Sequence, residues 1–192
     1  MSSYPEFHRR SIDDRDGFWR EQAALIDWQT PFTQVCDYSR PPFAKWFVGG
    51  RTNLCHNAVD RHAAQRPDAP ALIWVSTEVD KEVVYSFAEL QREVERMAAI
   101  LLELGVQQGD RVLVYMPMTA EAAFTMLACT RIGAIHSVVF GGFASHSLAT
   151  RIDDAEPTVI VSSDAGSRGG KGVPYKPLLD EAINLAKHKP KA

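Results

Sequence analysis

The chain has 192 residues, of which 45% are apolar and 23% are charged, and its formal net charge is -3. A chain of this length is expected to form one large domain, or one domain and part of a second. The small negative charge provides no overall basic field for binding nucleic acid, so any recognition of phosphate groups must be local.

The first sixty residues or so differ in pattern from the rest of the chain. Residues 7–25 predict a helix with apolar anchors at helical spacing, and Ser11 or Asp13 is its possible N-cap. Residues 30–53 show little helical or strand periodicity but are rich in aromatic side chains. Because disordered linkers are poor in aromatic residues, this stretch predicts an extended arm laid over another surface. A short helix over 54–64 follows it.

From Ala69 onward, predicted strands alternate with predicted helices. The first two strands flank a charged turn, and Ser86 and Glu89 then form a capping box that begins a helix ending at Gly105. Strands separated by helices of this length indicate right-handed crossovers and a mainly parallel sheet, which is an α/β fold. The predicted strands are 71–75, 83–85, 111–115, 135–139 and 158–162, and the later helices are 120–131, capped by Thr119, about 147–154 and about 178–186.

Two of the predicted strands run into loops that contain paired glycines. Strand 135–139 is followed by Phe140-Gly141-Gly142, and strand 158–162 is followed by a loop that includes Arg168-Gly169-Gly170-Lys171. Ligands of open α/β sheets bind outside the carboxyl ends of strands, and consecutive strands usually lie side by side. We therefore expect both loops to line one site, where Arg168 and Lys171 supply positive charge for a phosphate-bearing ligand.

Each glycine loop also has a simpler interpretation. Arginine and lysine beside glycine suit an anion, since each charge-assisted hydrogen bond contributes roughly 1.5–3 kcal/mol, but the same residues equally fit a solvated surface loop. The loop is not a Walker A motif, because Ala165 and Gly172 stand where that pattern needs Gly and Ser or Thr. The pair Gly141 and Gly142, taken alone, fits a tight strand-to-helix turn without any ligand.

Cysteine usage and hydropathy indicate a compartment. Cys36, Cys55 and Cys129 are odd in number and far apart, which favours a reduced cytoplasmic protein over a disulfide framework or a zinc site. The longest apolar region, near 126–144, is interrupted by an arginine and a histidine, so no membrane span is expected. No triad, carboxylate pair or metal-ligand spacing stands out, and we predict no catalytic residue and no metal ligand in the chain.

Several stretches, taken together, resemble the AMP-forming short-chain acyl-CoA synthetases of the adenylate-forming family. The resemblance runs in order from about Tyr4 to the last residue, and within the family it is greatest to the propionate–CoA ligases. The stretches are WQTPF at 28–32, TNLCHNAVDR at 52–61, GDRVLVYMPM at 109–118, ACTRIGAIHSVVFGGF at 128–143 and RGGK at 168–171.

The resemblance implies a two-step reaction with ATP, propionate and coenzyme A as small-molecule partners, and with neither nucleic acid nor membrane. Propionate attacks the α-phosphate of ATP with Mg²⁺ present, which gives propionyl-adenylate and pyrophosphate, and the thiol of coenzyme A then displaces AMP. The resemblance further implies that the phosphates of coenzyme A lie near Arg168, Gly169, Gly170 and Lys171. It also implies that the adenine of coenzyme A lies near Phe140, Gly141 and Gly142.

The resemblance also implies an organisation into domains. Residues 1–62 correspond to the family's helical and extended N-terminal cap, and residues 63–192 correspond to the first part of its AMP-binding domain. The family's ATP-phosphate loop, acyl pocket and C-terminal domain lie further downstream. We therefore expect the rest of a longer polypeptide after Ala192, and no activity from the 192 residues alone. Two alternatives stay open: an acetate–CoA ligase, and a short non-catalytic protein that binds coenzyme A or a nucleotide.

Overall fold

The structure is a computed structural model that describes residues 3–139 and 141–192, so Phe140 lies outside the described residues. It contains two compact units, Met1–Asn53 and Leu54–Ala192. The expected α/β class is confirmed, because helices flank a parallel sheet in the second unit. The expected domain boundary at residue 62 stays a prediction.

The first unit begins with two helices where the sequence predicted one. Helix α1 spans Tyr4–Asp13 and helix α2 spans Arg15–Gln22, followed by a short 3-10 turn at Ala23–Leu25. Asp14 leaves helical geometry, with φ of -119°, and its carboxylate accepts a hydrogen bond from the Gly17 amide at 3.2 Å. The predicted caps were therefore wrong, since Asp14 itself caps the second helix.

The predicted extended arm over 30–53 contains an antiparallel hairpin, which the sequence interpretation missed. Strand β1 is Gln34–Arg40 and strand β2 is Phe43–Val48. An irregularity in the register follows Asp37, and neighbouring residues of β1 are buried together, so the alternation that signals a strand is hidden. The ring of Phe47, on β2, packs against the rings of Trp28 and Phe32, and the three centroids are 5.1–5.4 Å apart.

The second unit begins with a helical segment whose central residues, His56–Asp60, are π-helical. Apart from two short strands within 166–173, its remaining elements follow the predicted alternation of strands and helices closely, and strand 111–115 has the predicted bounds. The elements are α3 (Arg61–Gln65), β3 (Pro70–Ser76), β4 (Lys81–Ser86), α4 (Phe87–Glu103), β5 (Arg111–Tyr115), α5 (Ala120–Ile132), β6 (Ile135–Val138), α6 (Ser145–Ala155), β7 (Val159–Ser162), β8 (Gly166–Arg168), β9 (Lys171–Val173) and α7 (Tyr175–Leu185).

Strand β5 lies at the centre of the parallel sheet, between β6 and β7. The expectation that β6 and β7 are neighbours was therefore wrong. The physical reason is burial: residues 112–115 of β5 are all buried, whereas β6 and β7 are more exposed. Val112 and Val114 face the core beneath α4 and α5, and Leu113 and Tyr115 face the core beneath α6 and α7.

Helix ends in the second unit mostly follow the predicted capping chemistry. The capping box is confirmed, with the Glu89 amide 3.2 Å from Ser86 Oγ and the Ser86 amide 2.8 Å from Glu89 Oε2. Gly105 follows α4 with φ of +86°, and Gly133 ends α5 with φ of +75°. Thr119 stands at the N-cap of α5, but its buried Oγ1 has no hydrogen-bond partner among the described residues.

Two further properties of the fold concern its cysteines and its helices. All three cysteines are buried free thiols, and burial raises the pKa of Cys129 from 9.0 to about 11. A thiol of this kind stays protonated at neutral pH, because water does not reach it to stabilise the thiolate. Within residues 3–139 and 141–192, no helix combines the length and the apolar character needed to cross a membrane.

Candidate functional site

A cavity of about 730 Å³ lies in the second unit, where the chain leaves strands β5 and β6. This volume falls within the range of ligand pockets, about 300–1,000 Å³. One wall comes from residues 116–118 after β5, a second from residues 138–139 and 141–144 around the end of β6, and a third from the β8–β9 hairpin and the start of α7. The cavity therefore lies at the carboxyl edge of the sheet, where open α/β folds bind their ligands.

Tyr175, the first residue of α7, joins the walls of this cavity. Its ring lies so close to the glycine turn that a Cβ atom added at Gly141 would be 1.9 Å from the Tyr175 hydroxyl oxygen. On β8, a Cβ atom added at Gly166 would be 2.8 Å from the same ring. The ring also packs on Tyr115 of β5, with centroids 4.9 Å apart. Both glycines are thus required for a close approach of the backbone to Tyr175.

Arg168 is at the end of β8 and lines the cavity. Burial raises the pKa of the Tyr175 hydroxyl, and the positive charge of Arg168 opposes this rise. Arg168 and Tyr175 thus line the same cavity. Much of the remaining wall is apolar, since Met116, Pro117 and Val139 contribute to it.

The stretch from Arg168 to Lys171 is the tip of a hairpin rather than an irregular loop. Strands β8 and β9 pair antiparallel, with Arg168 opposite Lys171 across a turn made of Gly169 and Gly170. Their φ angles are +59° and +71°, as a two-residue turn of type I′ requires at both central positions. The sequence interpretation missed these strands because each has only three residues and neither shows apolar alternation.

Glu78, in the turn between β3 and β4, is a residue of the site region that the sequence did not reveal. Its carboxylate accepts hydrogen bonds from the Gly169 amide at 2.8 Å, the Gly170 amide at 2.9 Å and the Ser167 hydroxyl at 2.9 Å. The bond from Gly170, followed by those from Ser167 and Gly169, lowers the pKa of Glu78. No local motif connects residues so distant in sequence, so only the folded structure brings them together.

The structure separates the predicted site residues into two groups. Gly141, Gly142 and Arg168 line the cavity, so the two glycine loops meet at one place although β6 and β7 are not neighbours. Among the described residues, Gly169, Gly170 and Lys171 belong to the hairpin tip and not to the cavity wall. Phe140 lies outside the described residues.

The described residues of the cavity provide binding groups. An apolar wall and an exposed glycine backbone suit a flat ring, and Arg168 offers a planar pair of donors for an anion. Within residues 3–139 and 141–192, no group of three or more His, Cys, Asp and Glu side chains is arranged to hold a metal ion. A nucleotide, which combines a flat ring with phosphates, fits this arrangement.

Comparisons with known proteins define the class. The profile of the AMP-binding enzyme family matches residues 59–190, and the profile described as acetyl-coenzyme A synthetase N-terminus matches residues 4–58. The chain therefore belongs to the AMP-binding enzyme family.

Individual relatives are similar over nearly the whole chain. The chain is 66% identical over 189 residues to a propionate–CoA ligase of Salmonella typhimurium and 49% identical over 182 residues to an acetyl-coenzyme A synthetase of Streptomyces coelicolor. These alignments cover 98% and 94% of the chain, but 30% and 28% of the relatives. The solved structure of acetoacetyl-CoA synthetase from Streptomyces lividans matches with a TM-score of 0.90 and 31% identity, covering 98% of this chain and 29% of that one. The chain thus spans about 30% of the length of these relatives.

Proposed function

We propose that this chain is part of a propionate–CoA ligase and forms part of its coenzyme A surface. The observation that carries the proposal is the meeting of Gly141, Gly142 and Arg168 at one cavity, in a chain 66% identical to a propionate–CoA ligase. In the proposed reaction, propionate and ATP form propionyl-adenylate and pyrophosphate. The coenzyme A thiol then displaces AMP and gives propionyl-CoA. We assign no ligand in this chain to the Mg²⁺ that accompanies ATP.

The proposed roles follow from the chemistry of each wall. The adenine of coenzyme A packs against the turn of Gly141 and Gly142 at the exposed backbone of Gly142, because Tyr175 already fills the space beside Gly141. The Arg168 guanidinium, at the wall formed by the β8–β9 hairpin, pairs with a phosphate through two parallel N–H donors. Lys171, across the hairpin from Arg168, adds a second positive charge beside the cavity.

Replacing Arg168 tests this assignment. In the full-length ligase, Arg168→Ala is expected to raise the KM for coenzyme A at least about tenfold, because a charge-assisted hydrogen bond is lost. The rate of ATP–pyrophosphate exchange with propionate is expected to stay within about twofold, because adenylate formation does not use this cavity. Lys171→Ala is expected to show the same pattern with a smaller change in KM.

The matched control is Arg96→Ala, which removes an exposed arginine from α4 that is paired with Glu93. It is expected to change neither half-reaction, since an exposed ion pair contributes little to stability. Equal losses of both half-reactions in Arg168→Ala would contradict the proposal, because they would show that the arginine maintains the fold and not the coenzyme A site.

The preference for propionate and the place of the reaction are parts of the same proposal. Propionate is favoured over acetate because the identity to the propionate–CoA ligase is 66%, against 49% to the acetyl-coenzyme A synthetase. A ratio of kcat/KM for acetate above that for propionate in the full-length ligase would contradict this choice. The purified 192-residue chain is expected to show no ATP–pyrophosphate exchange. Its buried free thiols support a reducing compartment, the cytoplasm.

A further inference from the structure

The β3–β4 hairpin contacts the candidate cavity at two separate points. At its turn, the Glu78 carboxylate accepts hydrogen bonds from the tip of the β8–β9 hairpin, at 2.8–2.9 Å. Along strand β3, the Trp74 indole donates a hydrogen bond to the Met118 carbonyl at 2.8 Å, and Met118 belongs to the wall formed by residues 116–118. One antiparallel hairpin, whose strands pair from Pro70 to Ser86, is thus attached to two walls of the cavity.

The contact at Glu78 changes what the hairpin tip offers a ligand. Two successive glycine amides in left-handed geometry form a concave arrangement of donors that attracts anions. In this chain a carboxylate occupies that arrangement, since Glu78 accepts from Gly169 and Gly170. The amides are therefore already paired, and the charged residue that the hairpin contributes to the cavity lining is Arg168.

The same contact fixes where Arg168 lies. The Glu78 carboxylate bonds to the residue before Arg168, through the Ser167 hydroxyl, and to the two residues after it. A hairpin with a two-residue turn and strands of only three residues has little stability of its own, because it buries few side chains. The hydrogen bonds that Glu78 accepts on both sides of Arg168 therefore restrain a short hairpin whose own backbone hydrogen bonds stabilise it only weakly.

We propose that Glu78 is a positioning residue of the coenzyme A site. It acts through Arg168: the carboxylate holds the β8–β9 tip so that the guanidinium faces the cavity, and the hydrogen bond from Trp74 to Met118 attaches the β3–β4 hairpin to the wall formed by residues 116–118. This inference rests on the proposed function, because the ligand whose affinity depends on the position of Arg168 is taken to be coenzyme A.

The test compares Glu78→Gln with Glu82→Gln in the full-length ligase. Glu82 lies on β4 of the same hairpin and is exposed, so its replacement makes the same change of charge without contacting the tip. Glu78→Gln is expected to raise the KM for coenzyme A about tenfold, because binding must then also order a more mobile hairpin tip. The rate of ATP–pyrophosphate exchange is expected to stay within about twofold. Glu82→Gln is expected to change neither.

Hydrogen exchange at the amides of Gly169 and Gly170 provides a direct reading of the contact. Loss of the carboxylate is expected to accelerate their exchange about tenfold in Glu78→Gln and to leave it unchanged in Glu82→Gln. Faster exchange with an unchanged KM for coenzyme A would overturn the inference, since the contact would then order the tip without serving the site. A lower KM would also overturn it, because Glu78 would then compete with the ligand for the hairpin.

Arg168→Ala separates this inference from the proposed function. If Arg168→Ala raises the KM for coenzyme A and Glu78→Gln does not, the proposed function stands and the positioning role is wrong. If Arg168→Ala has no effect on that KM, the assignment of the cavity to coenzyme A fails, whatever Glu78→Gln does. The double variant is expected to bind no worse than Arg168→Ala alone, because Glu78 acts through the arginine.

Discussion

Two glycine-containing turns meet near the same cavity, and they use glycine for different reasons. At Gly141 the reason is space, because an added Cβ atom would lie 1.9 Å from the Tyr175 hydroxyl oxygen. At Gly169 and Gly170 the reason is backbone conformation, since φ is positive at both while an added Cβ atom at either would meet nothing within 4 Å. The first turn is constrained by its neighbours and the second by its own dihedral angles.

This difference shows that one sequence feature can serve two distinct physical roles. The same dipeptide, Gly-Gly, occurs at 141–142 and at 169–170, and sequence alone treats both as places where a ligand approaches the backbone. In the folded chain both glycines of the first pair line the cavity, and Gly141 makes room for a buried tyrosine. The second pair forms a turn whose amides bond to Glu78. Substitution by alanine distinguishes the two roles.

The largest effect is expected for Gly141→Ala. The new methyl group overlaps the ring of Tyr175, which is 7% exposed and cannot move without disturbing Tyr115. Overpacking of this kind typically costs about 1–3 kcal/mol, and we expect a value near the upper end because two ring carbons and the hydroxyl oxygen of Tyr175 lie within 3 Å. Urea denaturation of the purified protein measures the loss of unfolding free energy.

Two further variants show whether the cost at Gly141 comes from Tyr175. Gly172→Ala is the matched control, because its added Cβ atom meets nothing within 4 Å and its φ is not left-handed, so we expect a change within about 0.5 kcal/mol. Combining Gly141→Ala with Tyr175→Leu is expected to recover part of the loss, since the clashing ring atoms are gone. Fully additive effects would show that the clash lies elsewhere.

A smaller effect is expected for Gly169→Ala. No neighbour is displaced, so the cost is that of a left-handed backbone in a residue with a Cβ atom, about 1–2 kcal/mol. Gly169→Asn is expected to cost less than the alanine variant, because asparagine tolerates positive φ and favours type I′ turns when glycine follows. Urea denaturation gives the unfolding free energies of the unmodified protein and the two variants, and so ranks their stabilities. An asparagine variant no more stable than the alanine variant would place the constraint in space rather than in φ.

The sequence predicted most of the second unit because burial and capping leave local signals. Strand β5 is continuous in apolar residues since both of its faces are buried, and the Ser86–Glu89 box and Gly133 mark helix ends. The order of the strands has no such local signal. The sheet places β5 between β6 and β7, and this depends on which strand buries most area against both helix layers.

Sequence reasoning led to some of the residues that line the cavity but not to the contacts among them. The rule that ligands bind at the carboxyl ends of strands led to Gly141 and Arg168, and both line the cavity. Tyr175 and Glu78 were not identified, because a tyrosine at a helix start and a glutamate in a charged turn are ordinary at those places. Their importance comes from contacts across the fold, which residue type and spacing do not encode.

The smallest expected effect concerns pH and tests whether the hairpin amides bond to an ionised carboxylate. The amide of Gly170, together with Ser167 and Gly169, stabilises the charged form of Glu78 and lowers its pKa below the ordinary value of 4.5. A group with a lowered pKa in the folded state contributes stability above its unfolded pKa, and this contribution is lost as the pH falls through the lower, folded value.

The amide proton shifts of Gly169 and Gly170 are therefore expected to change together on acidification, with a midpoint below 4.5. Spectra of protein labelled with ¹⁵N-glycine between pH 7 and pH 3 measure this midpoint. In Glu78→Gln the same amides are expected to show no such step, and the Gly141 amide is expected not to follow it in either protein, because its constraint is steric. A midpoint at or above 4.5 would mean that the carboxylate is not held by these amides, and the distinction between the two glycine turns would then rest on dihedral angles alone.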